Sequence, residues 1–332
     1  MTAVLFTCAG QRVDIVTAFS RAGATTIAVD CSELAPALYH AERRAIVPRV
    51  DDPGYVDALR ELVALHDVRL VVPLTDLDGA LLAGADLSPA VALVSPRDVV
   101  ESVDDKWTAH VLFCERGIPS PATWLPSALP GNLAFPVLVK ARRGFGSRDI
   151  HRANDREELD FHLRRARVPS LVQRLCSGVE FSIDVLCDLE GRCLGAIPRT
   201  MVESKGGESI KGVTIRDRDL IEFGRFVSET IEIRGPANVQ CFRDGGDKWV
   251  TDVNPRFGGA FPLPTAAGSR YPELALALAN GERPEPRLGD FAEGVVMTRF
   301  FSELILHEVA GTLEPLDEPV TRRRPAAAER AT

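Results

Sequence analysis

Oxygen-bearing side chains gathered at the end of an apolar strand can hold a hard cation, and residues 237–261 carry such a set. Along Lys248–Val253 and the following Asn254, side chains alternate, so Asp252 and Asn254 project from one face. Gln240, on the preceding run Ala237–Arg243, joins that face if Asp244 and Lys248 bracket a three-residue loop; a two-residue loop sets it against Thr251, on the other face. The expectation is therefore a hairpin loop with an odd number of residues. Magnesium suits Gln240, Asp252 and Asn254, because it takes a few protein oxygens and completes its shell with water and substrate phosphates. Pro255 ends ladder pairing, which lets Arg256 turn toward those phosphates, and Gly258-Gly259 admits a ligand close to the backbone. A polar strand end facing solvent is the alternative, and the full run DVNPRFGG argues against it.

A second set is cationic. Lys140 ends the apolar run Phe135–Lys140, Lys106 opens a helix, and the loop Arg142–Arg148 holds two glycines, a serine and three arginines. Two ammonium groups beside a glycine-rich loop form a phosphate cradle, against the alternative of a solvated basic surface. The loop lacks GxxxxGK[ST], so the cradle is not a Walker A loop.

These side chains need elements to position them. Up to about Pro96 the sequence alternates short apolar strands (Val4–Cys8, Thr25–Asp30, Ala45–Pro48, Leu70–Leu74, Ala92–Ser95) with helical spacing over Arg12–Ala22, Pro53–Leu65 and Asp78–Ala83. That βαβ alternation predicts a parallel sheet covered on both faces. Gln11, Arg12, Asp30, Thr75, Asp76 and Asp78 fall at strand C-termini, where such sheets bind ligands; for Asp78 a helix cap is the alternative. A dinucleotide fingerprint needs three glycines and only Gly10 is present, so a degenerate Rossmann-like domain is expected. Beyond it lie a helix at Lys106–Arg116, strands at Phe135–Lys140 and Asp149–Arg152, a helix at Glu157–Ala166, strands at Ser170–Leu175, Glu180–Leu186 and Arg192–Pro198, a helix at Asp219–Ile231, and the hairpin.

With 332 residues, 45 % apolar and 26 % charged, the chain is long enough for two or three packed units. Lys plus Arg at 39 against Asp plus Glu at 47 gives a net charge of −8, which argues against nucleic acid and anionic membrane as partners. Seven scattered cysteines without a CxxC pair read as reduced thiols of a cytoplasmic protein, and the histidines show no zinc spacing. The N-terminal apolar run is too short for a signal peptide, and no run is long enough to span a membrane. The final stretch Thr321–Thr332 is charged, alanine-rich and without an apolar face, the composition of a disordered tail.

Lys106 in DDKW, PVLVK ending at Lys140, RRGFGSRDI, LVQRLCSGVEFSIDV, GPANVQCF and TDVNPRFGGAFPL, in that order, resemble the ATP-grasp superfamily, in its carbamoyl-phosphate-synthase-like branch of carboxylate–amine ligases. The resemblance covers nearly the whole chain and implies an α/β and α+β fold: a Rossmann-like pre-ATP-grasp domain (1–100), a small subdomain with the phosphate flap (101–172), a large subdomain with the metal site (173–315) and a tail (316–332). It implies that Lys106 and Lys140 bind ATP phosphates under a flap that includes Gly144, Phe145, Gly146 and Ser147. It makes Gln173, Arg174 and Leu175 a hinge whose backbone pairs with adenine, and gives Glu180 the ribose hydroxyls. Gln240, Asp252 and Asn254 would carry one or two magnesium ions, with manganese able to substitute. Arg256 would stabilise the transferred phosphoryl group, with Arg199 a further candidate for those oxygens. The family often has an acid where Gln173-Arg174 stands and a glutamate where Asp252 stands. The implied partners are small-molecule carboxylate and amine substrates, amino acids among them, in a homodimer. The implied reaction passes through an acyl phosphate, releasing ADP and phosphate, and needs no nucleophilic side chain. A small-molecule kinase, a nucleotide-binding sensor without turnover and a dinucleotide oxidoreductase are the rival readings.

Overall fold

The computed structural model describes residues 1–144, 150–200, 203–205, 208–300 and 302–316. Contacts divide the chain into two units, Met1–Arg299 and Phe300–Thr332. The larger unit begins with β1 (Ala3–Thr7), α1 (Val13–Arg21), β2 (Thr25–Asp30), β3 (Arg43–Ile46), α2 (Tyr55–Leu65), β4 (Val68–Pro73), α3 (Gly79–Ala83) and β5 (Val91–Ala92). These strands form a parallel sheet in the order β3-β2-β1-β4-β5. Alternation divides their side chains between two layers, as expected for a sheet covered on both faces. Val4, Phe6 and Val72 pack with Ile15, Val16 and Phe19 of α1, while Leu5, Ile27 and Val71 pack with Tyr55, Leu59 and Val63 of α2. The strand order reverses beside β1, so the C-terminal ends of β1 and β4 frame the crevice where such sheets bind ligands.

Two helices lead out of this sheet. α4 (Arg97–Asp104) buries Val99, Val100 and Val103 and was not expected from the sequence; α5 (Lys106–Glu115) was. A four-stranded antiparallel sheet follows, made of β6 (Thr123–Trp124), β7 (Val137–Ala141), β8 (Ile150–Ala153) and β9 (Ser170–Arg174) in the order β6-β9-β7-β8, with α6 (Arg156–Arg165) against it.

The remaining strands of this unit are β10 (Val179–Cys187), β11 (Cys193–Thr200), β12 (Glu203–Lys205), β13 (Glu208–Val213), β14 (Gly235–Asp244), β15 (Asp247–Asn254) and β16 (Val296–Thr298), with α7 (Arg218–Thr230), α8 (Pro262–Ala266) and α9 (Tyr271–Ala279). β12, β13 and β16 pair in a small antiparallel sheet. The sheet β11-β10-β14-β15 is antiparallel and has two unlike faces. Ile183, Val239, Cys241 and Val253 are buried in a core that also holds Leu220 and Val227 of α7. The helix comes so close that a Cβ on Gly224 would meet Ile183 Cγ2 at 2.6 Å. Cys241 is thus a core residue, as the alternation predicts. The opposite face is polar. The second unit contains the hairpin of β17 (Leu306–Val309) and β18 (Thr312–Pro315). Among the described residues no helix is long and apolar enough to cross a membrane. All seven cysteines are free.

The hairpin corrects one expectation. Asp244 pairs with Asp247, so the loop is the two-residue Gly245-Gly246, not the odd-numbered loop the sequence seemed to require. Gln240 nevertheless pairs with Asp252, because Cys241 pairs with Val250 and Thr251 is left over as a β-bulge. The bulge supplies the odd residue that the loop does not.

Candidate functional site

Register assembles the polar face. Asp252, Gln240 and Ser182 are successive ladder partners across β15, β14 and β10, as are Asn254, Asn238 and Asp184, and Arg199 of β11 sits opposite Ser182. The three expected metal ligands, Gln240, Asp252 and Asn254, therefore share one face. A floor of hydrogen bonds lies beside them. Asp184 Oδ2 accepts from Arg199 Nε at 2.7 Å and its Oδ1 accepts from Asn238 Nδ2 at 2.9 Å. Arg199 is buried, and its Nη1 has no hydrogen-bond partner among the described residues. A buried guanidinium edge without an acceptor costs stability unless an anion meets it.

The cations come from the start of α5 and from β7 of the neighbouring sheet. Lys106 Nζ lies 3.8 Å from Asp252 Oδ2 and donates to the Gly144 carbonyl at 3.2 Å. Its place at the start of α5 follows from Asp105, which caps the helix by accepting from Trp107 N at 2.9 Å. The same carboxylate accepts from Arg142 Nε at 3.0 Å and Nη2 at 2.7 Å, so one acid ties the helix start to the start of the flap. Burial pushes the Asp105 carboxyl up, but the hydrogen bonds from Arg142 and Trp107 N outweigh it and hold it below the usual range. Of the expected flap, Gly144 is placed; Phe145, Gly146 and Ser147 lie outside the described residues.

Lys140, half-buried near the end of β7, donates to Gln173 Oε1 at 2.8 Å. Gln173 Nε2 donates in turn to Thr123 Oγ1 at 3.0 Å, whose hydroxyl donates to the Pro121 carbonyl at 2.9 Å. Because the Thr123 proton is committed to Pro121, its oxygen must accept, and the amide is fixed with its oxygen toward Lys140. Burial pulls the Lys140 ammonium below its ordinary value; Asp252 opposes this and Lys106 adds to it. Glu180, half-buried, is pushed up by burial against the pull of Lys140 and Arg199. In the expected hinge, the Arg174 N–H is taken by the Ala122 carbonyl at 2.8 Å, and Leu175 lies beyond the end of β9.

Lys106, Gly144, Asp252 and Asn254 line an open cleft, walled on its other sides by Thr75, Asp76 and Gly79 and by Val100, Val103 and Asp104. Arg256 reaches that crevice wall, with Nε donating to Asp76 Oδ2 at 3.1 Å. Two other crevice residues serve different ends. Arg12 is spent on Asp14 and on the carbonyls of Phe257 and Gly258, at 3.2 and 3.0 Å. Asp78 does not cap α3 through its side chain; it is fully buried and accepts from Tyr55 OH at 2.8 Å. Gly10 N donates to Asp30 Oδ2 at 2.9 Å, so the amide a pyrophosphate would need is occupied, against the dinucleotide reading. Asp105 and Thr123 were not singled out from the sequence. An Asp just before Lys106 is an N-cap signal, whereas nothing local marks Thr123.

The donor set fits magnesium held jointly with phosphates. It offers one carboxylate and two amide oxygens, and among the described residues no group of three or more His, Cys, Asp or Glu is placed to hold a metal ion. Lys106 beside that carboxylate, and the Arg199 edge without a partner among the described residues, put cationic donors beside those oxygens.

Residues 4–95 match the model of the PylC-like N-terminal domain, and residues 166–300 match that of ATP-grasp in the biosynthetic pathway with Ter operon. The carbamoyl phosphate synthase large chain of Thermomicrobium roseum is 26 % identical over 272 residues, covering 74 % of this chain and 25 % of its own length. The chain thus spans about a quarter of that relative. The biotin carboxylase domain of 2-oxoglutarate carboxylase from Hydrogenobacter thermophilus, solved as a dimer with MgADP and bicarbonate, superposes with a TM-score of 0.70 at 15 % identity, covering 88 % of this chain and 73 % of that one. An L-amino acid ligase from Bacillus licheniformis does so with 0.65 at 18 %, covering 88 % and 78 %. At such identities the structural likeness is one of fold.

Proposed function

The chain belongs to the ATP-grasp superfamily, and from that membership we propose that it is an ATP-dependent carboxylate–amine ligase. The observation that carries this reading is the cleft lined by Lys106, Asp252 and Asn254, with Gln240 the ladder partner of Asp252 and Lys140 near enough to feel the charges of Asp252 and Lys106. Lys106, Lys140 and the flap from Gly144 hold the ATP phosphates; Leu175 and its neighbours meet the adenine, and Glu180 the ribose. Gln240, Asp252 and Asn254 would hold magnesium, which neutralises phosphate charge when bound. Arg256 and the open edge of Arg199 face the oxygens of the transferred group.

In the first step a carboxylate oxygen attacks the γ-phosphorus, the bridging bond breaks, and ADP leaves with its electron pair. In the second an amine nitrogen attacks the acyl carbon and phosphate departs, leaving an amide. Positioning and charge neutralisation supply most of such catalysis, which matches a site rich in cations and hydrogen-bond donors and needing no covalent side chain. The residues of the N-terminal crevice, Thr75 and Asp76 foremost, face the substrates.

A screen for ADP release over paired carboxylates and amines, with mass spectrometry of the active pair, tests the reading. ADP together with an amide of the summed mass less water is expected. Silence with every pair, or a stable phosphate ester as product, overturns it; the latter result assigns a kinase.

A further inference from the structure

Arg256, just beyond β15, has its Nε–Nη2 fork fully engaged and one Nη1 donor committed. Nε and Nη2 both converge on Oδ2 of Asp76, each at 3.1 Å. Nη2 also donates to Asn254 Oδ1 at 3.3 Å, and Nη1 to the Phe257 carbonyl at 3.2 Å. A phosphoryl oxygen can therefore gain the Nε–Nη2 fork of Arg256 only by displacing one of its partners. The Phe257 carbonyl is backbone, held in turn by Arg12. The Asp76 contact is the easiest to exchange. It uses one carboxylate oxygen where a paired fork would use two, and the Asp76 side chain is 35 % exposed, so water can replace the donors it loses.

We propose that Asp76 is a positioning residue for Arg256: it holds the guanidinium against the crevice wall and yields it to the phosphoryl group that ATP brings. The inference rests on the ligase reading, in which Arg256 serves the transferred phosphoryl group. It adds that a residue after β4 of the N-terminal sheet takes part in setting that arginine. No covalent bond changes; one charge-assisted contact is exchanged for another. Because the exchange occurs only with a γ-phosphoryl group, the Asp76 contact opposes binding of a triphosphate and leaves a diphosphate unaffected. A residue that served only to stabilise the fold would not distinguish the two nucleotides.

Calorimetric titration of the full chain with magnesium and either ADP or the non-hydrolysable β,γ-imido analogue of ATP tests this. Asp76→Asn is expected to bind the analogue about two- to five-fold tighter, the range set by a partly exposed ion pair, with ADP affinity unchanged. Asp76→Glu retains the charge and is expected to bind the analogue as the parent does. In an Arg256→Ala background the effect of Asp76→Asn should vanish. In turnover, Asp76→Asn should lower KM for ATP and kcat together, since the arginine is released but no longer aimed. An equal change for both nucleotides, no change, the same tightening by Asp76→Glu, or persistence without Arg256 would each overturn the proposal. A parent chain that binds neither nucleotide overturns the ligase reading and this inference together; one that binds both, with Asp76→Asn indifferent, overturns the inference alone.

Discussion

Lys140 faces a neutral partner, and that choice sets when its charge is present. Burial lowers the ammonium from the ordinary lysine value near 10.4, and Gln173 offers an oxygen without a compensating negative charge. Phosphate is held by the protonated form, so affinity for ATP should decline as pH rises through this lowered value, sooner than for an exposed lysine. Gln173→Glu places a carboxylate where the amide oxygen stands, favours the ammonium, and should move that alkaline limb to higher pH. The same carboxylate competes with phosphate, so affinity near neutrality should weaken. KM for ATP measured across pH in parent and variant checks both effects, and coincident limbs would show that Gln173 does not tune Lys140. Part of the arrangement was legible: strand alternation implied that Gln240, Asp252 and Asn254 share one face, and Lys106 lines the same cleft as Asp252 and Asn254. The Thr123–Gln173–Lys140 relay was not, because its members come from three strands and only the folded sheet brings them together.

The start of α5 and the start of the flap depend on one carboxylate. Asp105 caps the helix and receives two guanidinium donors from Arg142, with its side chain only 7 % exposed. Asp105→Ala removes the cap and leaves Arg142 without its partner, a loss of about 2 kcal/mol. Lys106 should lose its position with it, so nucleotide affinity should drop as stability does; urea unfolding and nucleotide titration measure the two. The folded Asp105 carboxyl lies below its unfolded value of about 4, so its contribution is complete above that value and is lost as pH falls through the lowered one. The parent's acid unfolding should therefore be steeper than that of Asp105→Ala below about pH 4. At this level the hairpin shows where sequence reading stops. Alternation placed Asp252 with Asn254, but a β-bulge has no firm local signature, and Thr251 is as good a ladder residue as its neighbours. Its exclusion from pairing is decided by the fit of β15 against β14.

The N-terminal parallel sheet and the central antiparallel sheet meet at the segment that follows β15. Arg12, from the start of α1, donates to the carbonyls of Phe257 and Gly258, while Phe257 packs edge-on against Phe19 of α1 and Phe261. The βαβ alternation made the first sheet legible and strand-face alternation the second. Their joining was not, since it rests on hydrogen bonds between positions some 245 residues apart. Gly258 read as room for a ligand; its closest neighbours are instead the polar floor. A Cβ there would meet Asp184 Oδ1 at 2.4 Å and Asn238 Nδ2 at 3.1 Å, and both atoms are fixed, Asp184 by Arg199 and Asn238 by Asp184 itself. Neither can move without breaking a buried charge-assisted contact, so Gly258→Ala should cost about 1–3 kcal/mol as overpacking. It should also lift the segment that carries Arg256 and so weaken binding of a triphosphate. Gly246→Ala, in the hairpin loop with nothing within 4 Å of the added carbon, is the matched control and should stay within about 0.5 kcal/mol of the parent. Urea midpoints and nucleotide affinities for the pair decide the matter. Equal stability would mean that the segment between the two sheets gives way freely, and that the floor of the site is not held by its contact with Gly258.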